Sequence, residues 1–205
     1  MAVLAPLVLR GSTVTLRPLS LDDAGALAAA AAESREQYTF TRVPDGADDA
    51  RRYIEGALAD RETRGRLAFA TLWRERVVGS TSYLGAERWR WPAGSPLQRR
   101  DRPDVVEIGA TWLAASAQRT RCNTEAKLLM LTQAFDVWQV HRVALKTDAR
   151  NLTSRRAIER LGALFEGIRR ADMPGSDGSV RDSAYYSIVR GEWPQVRKRL
   201  EAALT

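Results

Sequence analysis

The chain has 205 residues, 44% of them hydrophobic and 28% charged, with a formal net charge of +7. That composition suits one globular domain with a real core and excludes a disordered or fibrous chain. Cys122 is the sole cysteine, which excludes an intrachain disulfide framework and points to a reducing, cytoplasmic setting.

The opening MAVLAPLVLR is apolar, short and without a charged leader, so it reads as a first strand and not as a signal peptide. No run nears the roughly 20 apolar residues of a membrane span. VTLRPLSLDDAGALAAAAAES then changes period. Val14 and Leu16 alternate as in a strand, Pro18 breaks it, and Ser20 with Asp23 has the spacing of a capping box ahead of a helix of about 12 residues. DDARRYIEGALADRET is a second amphipathic helix with Tyr53, Ala57 and Leu58 on one face. The aromatic connector YTFTRVPDG lies between the two helices. LAFATLWRERVVGSTSYL predicts a hairpin turning at Arg74–Arg76.

The stretch Gly85 to Asp104 holds three prolines, two tryptophans and a cluster of arginines. A connection of this length between strands is uncommon, and such insertions tend to be functional. VVEIGATWL is the next strand. QRTRCNTEAK leads from it into the helix TEAKLLMLTQAFDVWQ, on which Leu128, Leu131, Phe135 and Trp138 form one apolar stripe. A strand, a polar loop and a helix start build an anion pocket, because first-turn amides and the helix dipole attract negative charge. Loops of this kind favour glycine, which lets the backbone approach the ligand. Here Arg119 and Arg121 stand in it.

HRVALKT is a strand, NLTSRRAIERLG a helix ended by Gly162, ALFEGIRR a strand, PGSDGS a turn, VRDSAYYSIVR a strand and EWPQVRKRLEAAL a last helix. Tyr185 and Tyr186 fall on opposite faces of the final strand, one toward a pocket and one toward core. His141, the one histidine, precedes its strand and reads as structural. Cys122 has no histidine near it in sequence and reads as a small buried residue. No Cys/His spacing suggests a metal, and no phosphate-binding Gly-x-x-x-x-Gly-Lys motif is present. The basic residues are almost all arginine and scattered, not gathered into the stripe that nucleic-acid binding calls for.

This order of elements, with TLRPLSLDDA, VGSTSYL, VEIGATWL, LKTDARNLTSRRAIERLGALFEG and DGSVRDSAYYSIVRGEWPQVRKRLE, resembles the GCN5-related N-acetyltransferases (the GNAT superfamily), specifically the RimJ/RimL-like ribosomal-protein acetyltransferases. The resemblance runs from about Leu7 to Leu200. It implies an α/β GNAT fold over residues 1–205, with 85–104 as an insertion. Its central sheet would be mixed, mostly antiparallel and seven-stranded, flanked by helices and splayed between strands four and five (105–113 and 141–147). Acetyl-CoA would enter that opening with its thioester near Ala110, Thr111 and Trp112, followed by Leu113.

Relatives of this branch carry Gln-Gly-Thr-Gly-x-Asn-Thr-Glu in the loop that holds the diphosphate of coenzyme A. Gln118, Thr120, Asn123, Thr124 and Glu125 match that pattern; Arg119 and Arg121 replace its glycines, and Cys122 fills the variable place. The resemblance therefore implies a modified cradle, with Asn123 or Thr124 capping the helix and at least one of Arg119 and Arg121 reaching a phosphate. Asn151 would contact the pantetheine arm and Ser154 would protonate the leaving thiolate, though both residue types also suit helix caps. Glu107 is the first candidate base and Asp182 the second. Tyr38, Phe40, Tyr83 and Tyr186, with the turn Pro174–Gly178, would border the acceptor pocket. The implied reaction is direct acyl transfer, most simply acetyl, to a primary amine: a protein N-terminus or a small amine. No metal is implied; a homodimer is one expectation, and the Trp89/Trp91 insertion is expected to be a lid, a partner surface or a dimer contact. The alternative is a GNAT scaffold that binds without turnover, because of the two arginines in the cradle.

Overall fold

The computed structural model describes residues 4–98 and 101–205. Strands β1 (Leu9–Arg10) and β2 (Val14–Pro18) lead to helices α1 (Ala24–Ala32) and α2 (Gly46–Arg64). The chain continues through β3 (Leu67–Trp73), β4 (Arg76–Glu87), β5 (Val105–Leu113) and α3 (Cys122–Thr132). It ends with β6 (Arg142–Asp148), α4 (Leu152–Leu161), β7 (Leu164–Pro174), β8 (Val180–Val189) and α5 (Trp193–Ala202). These strands form one sheet of eight in the order β1-β2-β3-β4-β5-β6-β8-β7. Neighbours are antiparallel except for the parallel pair β5–β6. The count exceeds the expected seven because MAVLAPLVLR contributes only the two-residue β1; Leu4 ahead of it is buried in the core, and residues 1–3 lie outside the described ones.

The capping box forms. The Ser20 amide donates to Asp23 Oδ2 at 2.9 Å, and Arg17 grips the same buried carboxylate. A 3-10 turn, Leu21–Asp23, then runs directly into α1. Burial alone would raise the Asp23 pKa, but these hydrogen bonds hold it below its ordinary value. Helix α2 buries Ala50, Ile54 and Ala57, while Tyr53 is half-buried and Leu58 exposed. This corrects the expected face: the stripe at spacings of four and three lies toward the small residues. Helix α3 buries Met130 and Leu131, continues through a π-helical turn at Gln133–Val137 that buries Phe135, and leaves Leu128 and Trp138 partly covered.

The β3–β4 turn places Arg74 and Glu75 at φ 49 and 66, the left-handed pair that a two-residue hairpin with matching twist requires. Gly162 ends α4 at φ 99, as its place in the sequence predicts. Helices α3 and α4 cover one sheet face: Tyr83 of β4 donates to the Met130 carbonyl, and Tyr186 of β8 bonds Arg155 and Glu159. The α1–α2 pair covers the other face over β3 and β4.

The insertion folds back beside the start of β6. Buried Asp104 accepts from the Trp89 amide at 2.8 Å and from Trp91 Nε1 at 3.0 Å. The Trp89 ring stacks on His141 with centroids 5.6 Å apart and planes 7° from parallel. His141 is thus part of a structural clasp, as expected. Of the expected insertion, Arg99 and Arg100 lie outside the described residues. Asp104→Ala removes the acceptor for both tryptophan donors. It is expected to cost about 1–3 kcal/mol and to shift tryptophan emission to the red; an unchanged spectrum and melting point would contradict the clasp.

Candidate functional site

The parallel pairing of β5 and β6 runs only from Val105↔Arg142 to Glu107↔Ala144, although β5 continues to Leu113 and β6 to Asp148. The sheet opens there, where the resemblance implies a splay. The cause lies on the other side of β5. Ser82 of β4 pairs with Gly109 and Ser80 with Trp112, so Ala110 and Thr111 together stand opposite Thr81. This is a β-bulge, with Ala110 at φ 48, and a bulge bends and twists its strand. Gly79 makes the close approach behind it workable: a Cβ there would lie 2.1 Å from the Trp112 carbonyl oxygen. Ala110 is exposed in the opening, and Thr111 turns its hydroxyl toward α3.

The loop beyond β5 is held from within. Gln118 Nε2 and the Tyr38 hydroxyl both donate to the Leu113 carbonyl, at 2.8 and 2.9 Å. Thr120 Oγ1 donates to the Ala117 carbonyl and accepts from the Cys122 amide at 3.1 Å. The hydroxyl that serves the helix start is therefore that of Thr120, not Asn123 or Thr124 as expected. The amides of Asn123 and Thr124 lie in the first turn of α3, where no intrahelical acceptor exists. They are the groups able to hold an anion.

The two arginines part company. Arg119 is exposed at φ 57, while Arg121 is right-handed at φ −69. The Arg121 guanidinium donates to the carbonyls of Leu204 and Thr205, at 2.6 and 3.1 Å, tying the cradle to the end of α5. These two bonds occupy part of the Arg121 guanidinium, from which a phosphate contact is expected. At Arg119 the left-handed backbone is what glycine supplies in the pattern. Arg119→Gly is expected to raise stability by roughly 0.5–1 kcal/mol, the ~1–2 kcal/mol cost of a side chain in that region less the entropy that glycine loses on folding, and to leave ligand binding intact. A loss of stability in a melting experiment would contradict this.

Cys122 is fully buried, and burial pushes its thiol up to about 12, so it holds its proton and is no nucleophile at neutral pH. Asn151 is the N-cap of α4, its Oδ1 accepting from the Ser154 amide at 3.0 Å. The capping reading holds for Asn151. Ser154 instead occupies the third helical position, one turn before buried Ile158, with its hydroxyl on the half-buried side of α4.

Glu107 lies at the point where β5 and β6 part. Its side chain is 18% exposed, and Lys146 Nζ stands 3.4 Å from Oε2. Burial raises its pKa despite the neighbouring ammonium. Lys146 also lies over the Tyr185 ring at 5.6 Å. The Tyr185 hydroxyl reaches both oxygens of Asp172 at 3.1 Å. Burial would raise Asp172, but its hydrogen bonds with Ser183 and Tyr185 prevail and hold it low. Glu107, Lys146, Tyr185 and Asp172 thus form one polar wall on the face away from α3 and α4.

Asp182 is not part of that wall. Strand alternation puts it with Ala184 and Tyr186, and it is exposed and accepts from the Ala171 amide at 2.8 Å. Tyr186 and Tyr83 are both fully buried among core residues, so the structure does not bring them to the pocket rim expected of them. Tyr185 is the one that faces the cleft side. Tyr38 packs edge-on to Trp112 with centroids 6.1 Å apart. Phe40 carries the Arg150 guanidinium over its ring at 4.7 Å. Arg150 also bridges Asp148 and Asp177, at 2.8 and 2.9 Å, so Phe40 and the β7–β8 turn meet through it. Lys146, Asp172 and Arg150 escaped the sequence reading. Alternation with Ala144 signals Lys146, but Asp172 and Arg150 gain their places only through tertiary contacts.

Among the described residues no group of His, Cys, Asp or Glu could hold a metal ion, and no helix is long and apolar enough to cross a membrane. The sequence profile described as "Acetyltransferase (GNAT) domain" matches residues 13–164. The protein named "Putative ribosomal N-acetyltransferase YdaF" of Bacillus subtilis (strain 168) is 36% identical over 88 residues, which are 43% of this chain and 47% of that protein. The match thus spans about half the length of that curated relative. A GCN5-related N-acetyltransferase from Brucella melitensis superposes with a TM-score of 0.82 at 26% identity, covering 100% of this chain and 88% of the other. Mycobacterium smegmatis RimJ, solved with CoA-disulfide, shares the fold at a TM-score of 0.73 and 23% identity, over 97% of this chain and 93% of its own.

Proposed function

This chain belongs to the GNAT acetyltransferase family, and from that premise we propose that it transfers an acetyl group from acetyl-CoA to a primary amine, with the N-terminal α-amine of a protein as the favoured acceptor. The observation that carries the reading is the parting of β5 and β6 beside the open first turn of α3, with Glu107 half-buried at the fork. The residues present fit the cofactor. First-turn amides of Asn123 and Thr124 suit a diphosphate, and the bulged backbone at Ala110–Trp112 offers polar groups to an acyl carbonyl.

When bound, acetyl-CoA supplies the acyl group as an activated thioester. Glu107 takes a proton from the acceptor ammonium so that the nitrogen can attack. The raised pKa of its carboxyl makes it a stronger base than an exposed glutamate. Ser154, near the start of α4, is the donor for the departing sulfur. The acceptor would approach along the polar wall, between Tyr38, Phe40 and the β7–β8 turn, where Glu107, Asp172, Asp148 and Asp177 are each paired with Lys146, Arg169 or Arg150. A ribosomal-protein N-terminus is the class suggested by the curated relative's name. A protein of this kind would work in the cytoplasm.

The second reading, a binding scaffold without turnover, draws on one observation, the left-handed Arg119 in the cradle. The two separate in one experiment: acetyl-CoA is offered with a peptide bearing a free α-amine, the same peptide with that amine blocked, and a small polyamine, and products are read by mass. Acetylation of the free-amine peptide alone supports a protein acceptor. Acetylation of the polyamine alone moves the acceptor to small amines, and no acetylation despite acetyl-CoA binding supports the scaffold.

A further inference from the structure

The helix that begins the cradle carries a lysine where the core should be apolar. Lys127 of α3 is 4% exposed, and its Nζ donates to Thr81 Oγ1 at 2.9 Å and Thr111 Oγ1 at 2.7 Å. The two hydroxyls are themselves 2.7 Å apart, so three polar atoms close a triangle between α3, β4 and β5. Among the described residues no carboxylate lies within ion-pair distance of it. A buried cation without an anion is costly and normally neutralises or is paired.

We propose that Lys127 is a positioning residue for the acyl-CoA site, neutral in the free protein and protonated when the cofactor's phosphates dock. The inference rests on the acyl-CoA reading given above. Three features of the geometry support it. First, the triangle can close in the neutral state as a ring: the amine donates to Thr111, Thr111 to Thr81, and Thr81 back to the amine lone pair. Second, on protonation the nitrogen becomes a donor only, and Thr81 and Thr111 have other acceptors ready in Met130 Sδ and the Gly109 carbonyl, at 3.7 and 3.4 Å. Third, Thr111 is a residue of the β5 bulge, so the charge state of Lys127 acts on the strand that would carry the thioester.

The surroundings lack a fixed counter-charge. On its own helix, Cys122 is a protonated thiol, and Glu125 is turned to Ser12 and Thr13. On β4 the titratable neighbour is Tyr83, whose hydroxyl is bound to the Met130 carbonyl and whose pKa is raised far by burial. β5 offers Thr111, while Glu107 lies on its other face with Lys146. Asp136 beyond α3 is engaged by Trp193 and Arg197. Burial brings the Lys127 pKa down to about 7. Helical side chains lean toward the helix N-terminus, so the ammonium sits under the turn that would receive the phosphates. An anion there is the missing partner.

The test is calorimetry of acetyl-CoA binding to the full chain at pH 7.5, in buffers of different ionisation enthalpy. The wild type should take up roughly half a proton on binding, and its affinity should fall about threefold per pH unit between pH 7 and 8.5. Lys127→Met, which fits the same apolar slot, should bind acetyl-CoA with that uptake removed and the pH dependence flattened. Equal proton uptake in the two proteins, or none in the wild type, overturns the role of Lys127 and leaves the acyl-CoA reading standing. No binding heat at all in the wild type overturns the acyl-CoA reading itself, and this inference falls with it. Should Lys127→Met not fold, Lys127→Leu is read in the same way, and proton uptake equal to that of the wild type overturns the proposal.

Discussion

Replacing Glu107 with glutamine should lower kcat for amine acetylation by about 10²- to 10⁴-fold, the usual worth of a positioned general base. Acetyl-CoA affinity should change little, because Glu107 lies at the fork of β5 and β6 and not at the cradle. Glutamine keeps the shape and removes the proton acceptor. The wild-type rate should also rise with pH as Glu107 ionises, and burial moves that rise above the ordinary glutamate range. The folded carboxyl is the weaker acid, so at a pH near its unperturbed value most of it still holds its proton and cannot serve as base. In Glu107→Gln that limb of the profile should vanish. A variant with wild-type kcat and an unchanged pH profile would remove Glu107 from the mechanism and shift attention to Asp172 on the same wall.

Glu125→Ala should be the most damaging single change to stability near the cradle, at about 3 kcal/mol, within the range for stranding donors of a charge-assisted network. Glu125 is buried on the first turns of α3 and accepts from Ser12 Oγ at 3.0 Å, the Thr13 amide at 2.9 Å and Thr13 Oγ1. It thereby fastens the helix start to the β1–β2 turn. Gly11 shows how tight that seat is, for a Cβ there would come within 2.2 Å of Glu125 Oε1. In a chain of this size the loss corresponds to a fall in Tm of roughly 6–12 °C. Burial by itself would raise the Glu125 pKa, but the hydrogen bonds from Thr13 and Ser12 prevail and lower it. The folded carboxyl is then the stronger acid. Its stabilisation is present above the unfolded pKa of about 4.5 and is lost as the pH falls below that toward the folded value. A Tm within 2 °C of wild type, on the scale of about 1 kcal/mol or less, would contradict the anchoring role.

Much of this was legible because it is local. Ser20 and Asp23 announce the first helix three residues apart, Gly162 ends the fourth, and the run from Thr71 to Val77 shows its hairpin through polar residues between apolar ones. The splay was legible only through the family resemblance, since nothing at Ala110 marks a bulge: it is neither glycine nor proline, and the register shift depends on where β4 pairs. For the same reason the sequence does not show that the strands turn Tyr83 and Tyr186 to core. Period-two alternation separates two faces without saying which face a helix covers. Lys127 stands between apolar Ala126 and Leu128–Leu131, and a lone lysine within such a run is a signal that can be read. Arg121 could not have been placed, because its partners lie more than eighty residues away at Leu204 and Thr205.

The central claim is that the opening between β5 and β6 receives acyl-CoA in spite of the arginines in its cradle. Titration calorimetry of acetyl-CoA into the full chain tests it most directly. The structure predicts saturable one-to-one binding within the ordinary range of enzyme–substrate constants, about 1 μM to 1 mM. That binding should be kept in Arg119→Gly and weakened by coenzyme A added as competitor. Absence of binding up to millimolar acetyl-CoA, with binding appearing only when Arg119 and Arg121 are both changed to glycine, would contradict it and mark the cradle as blocked.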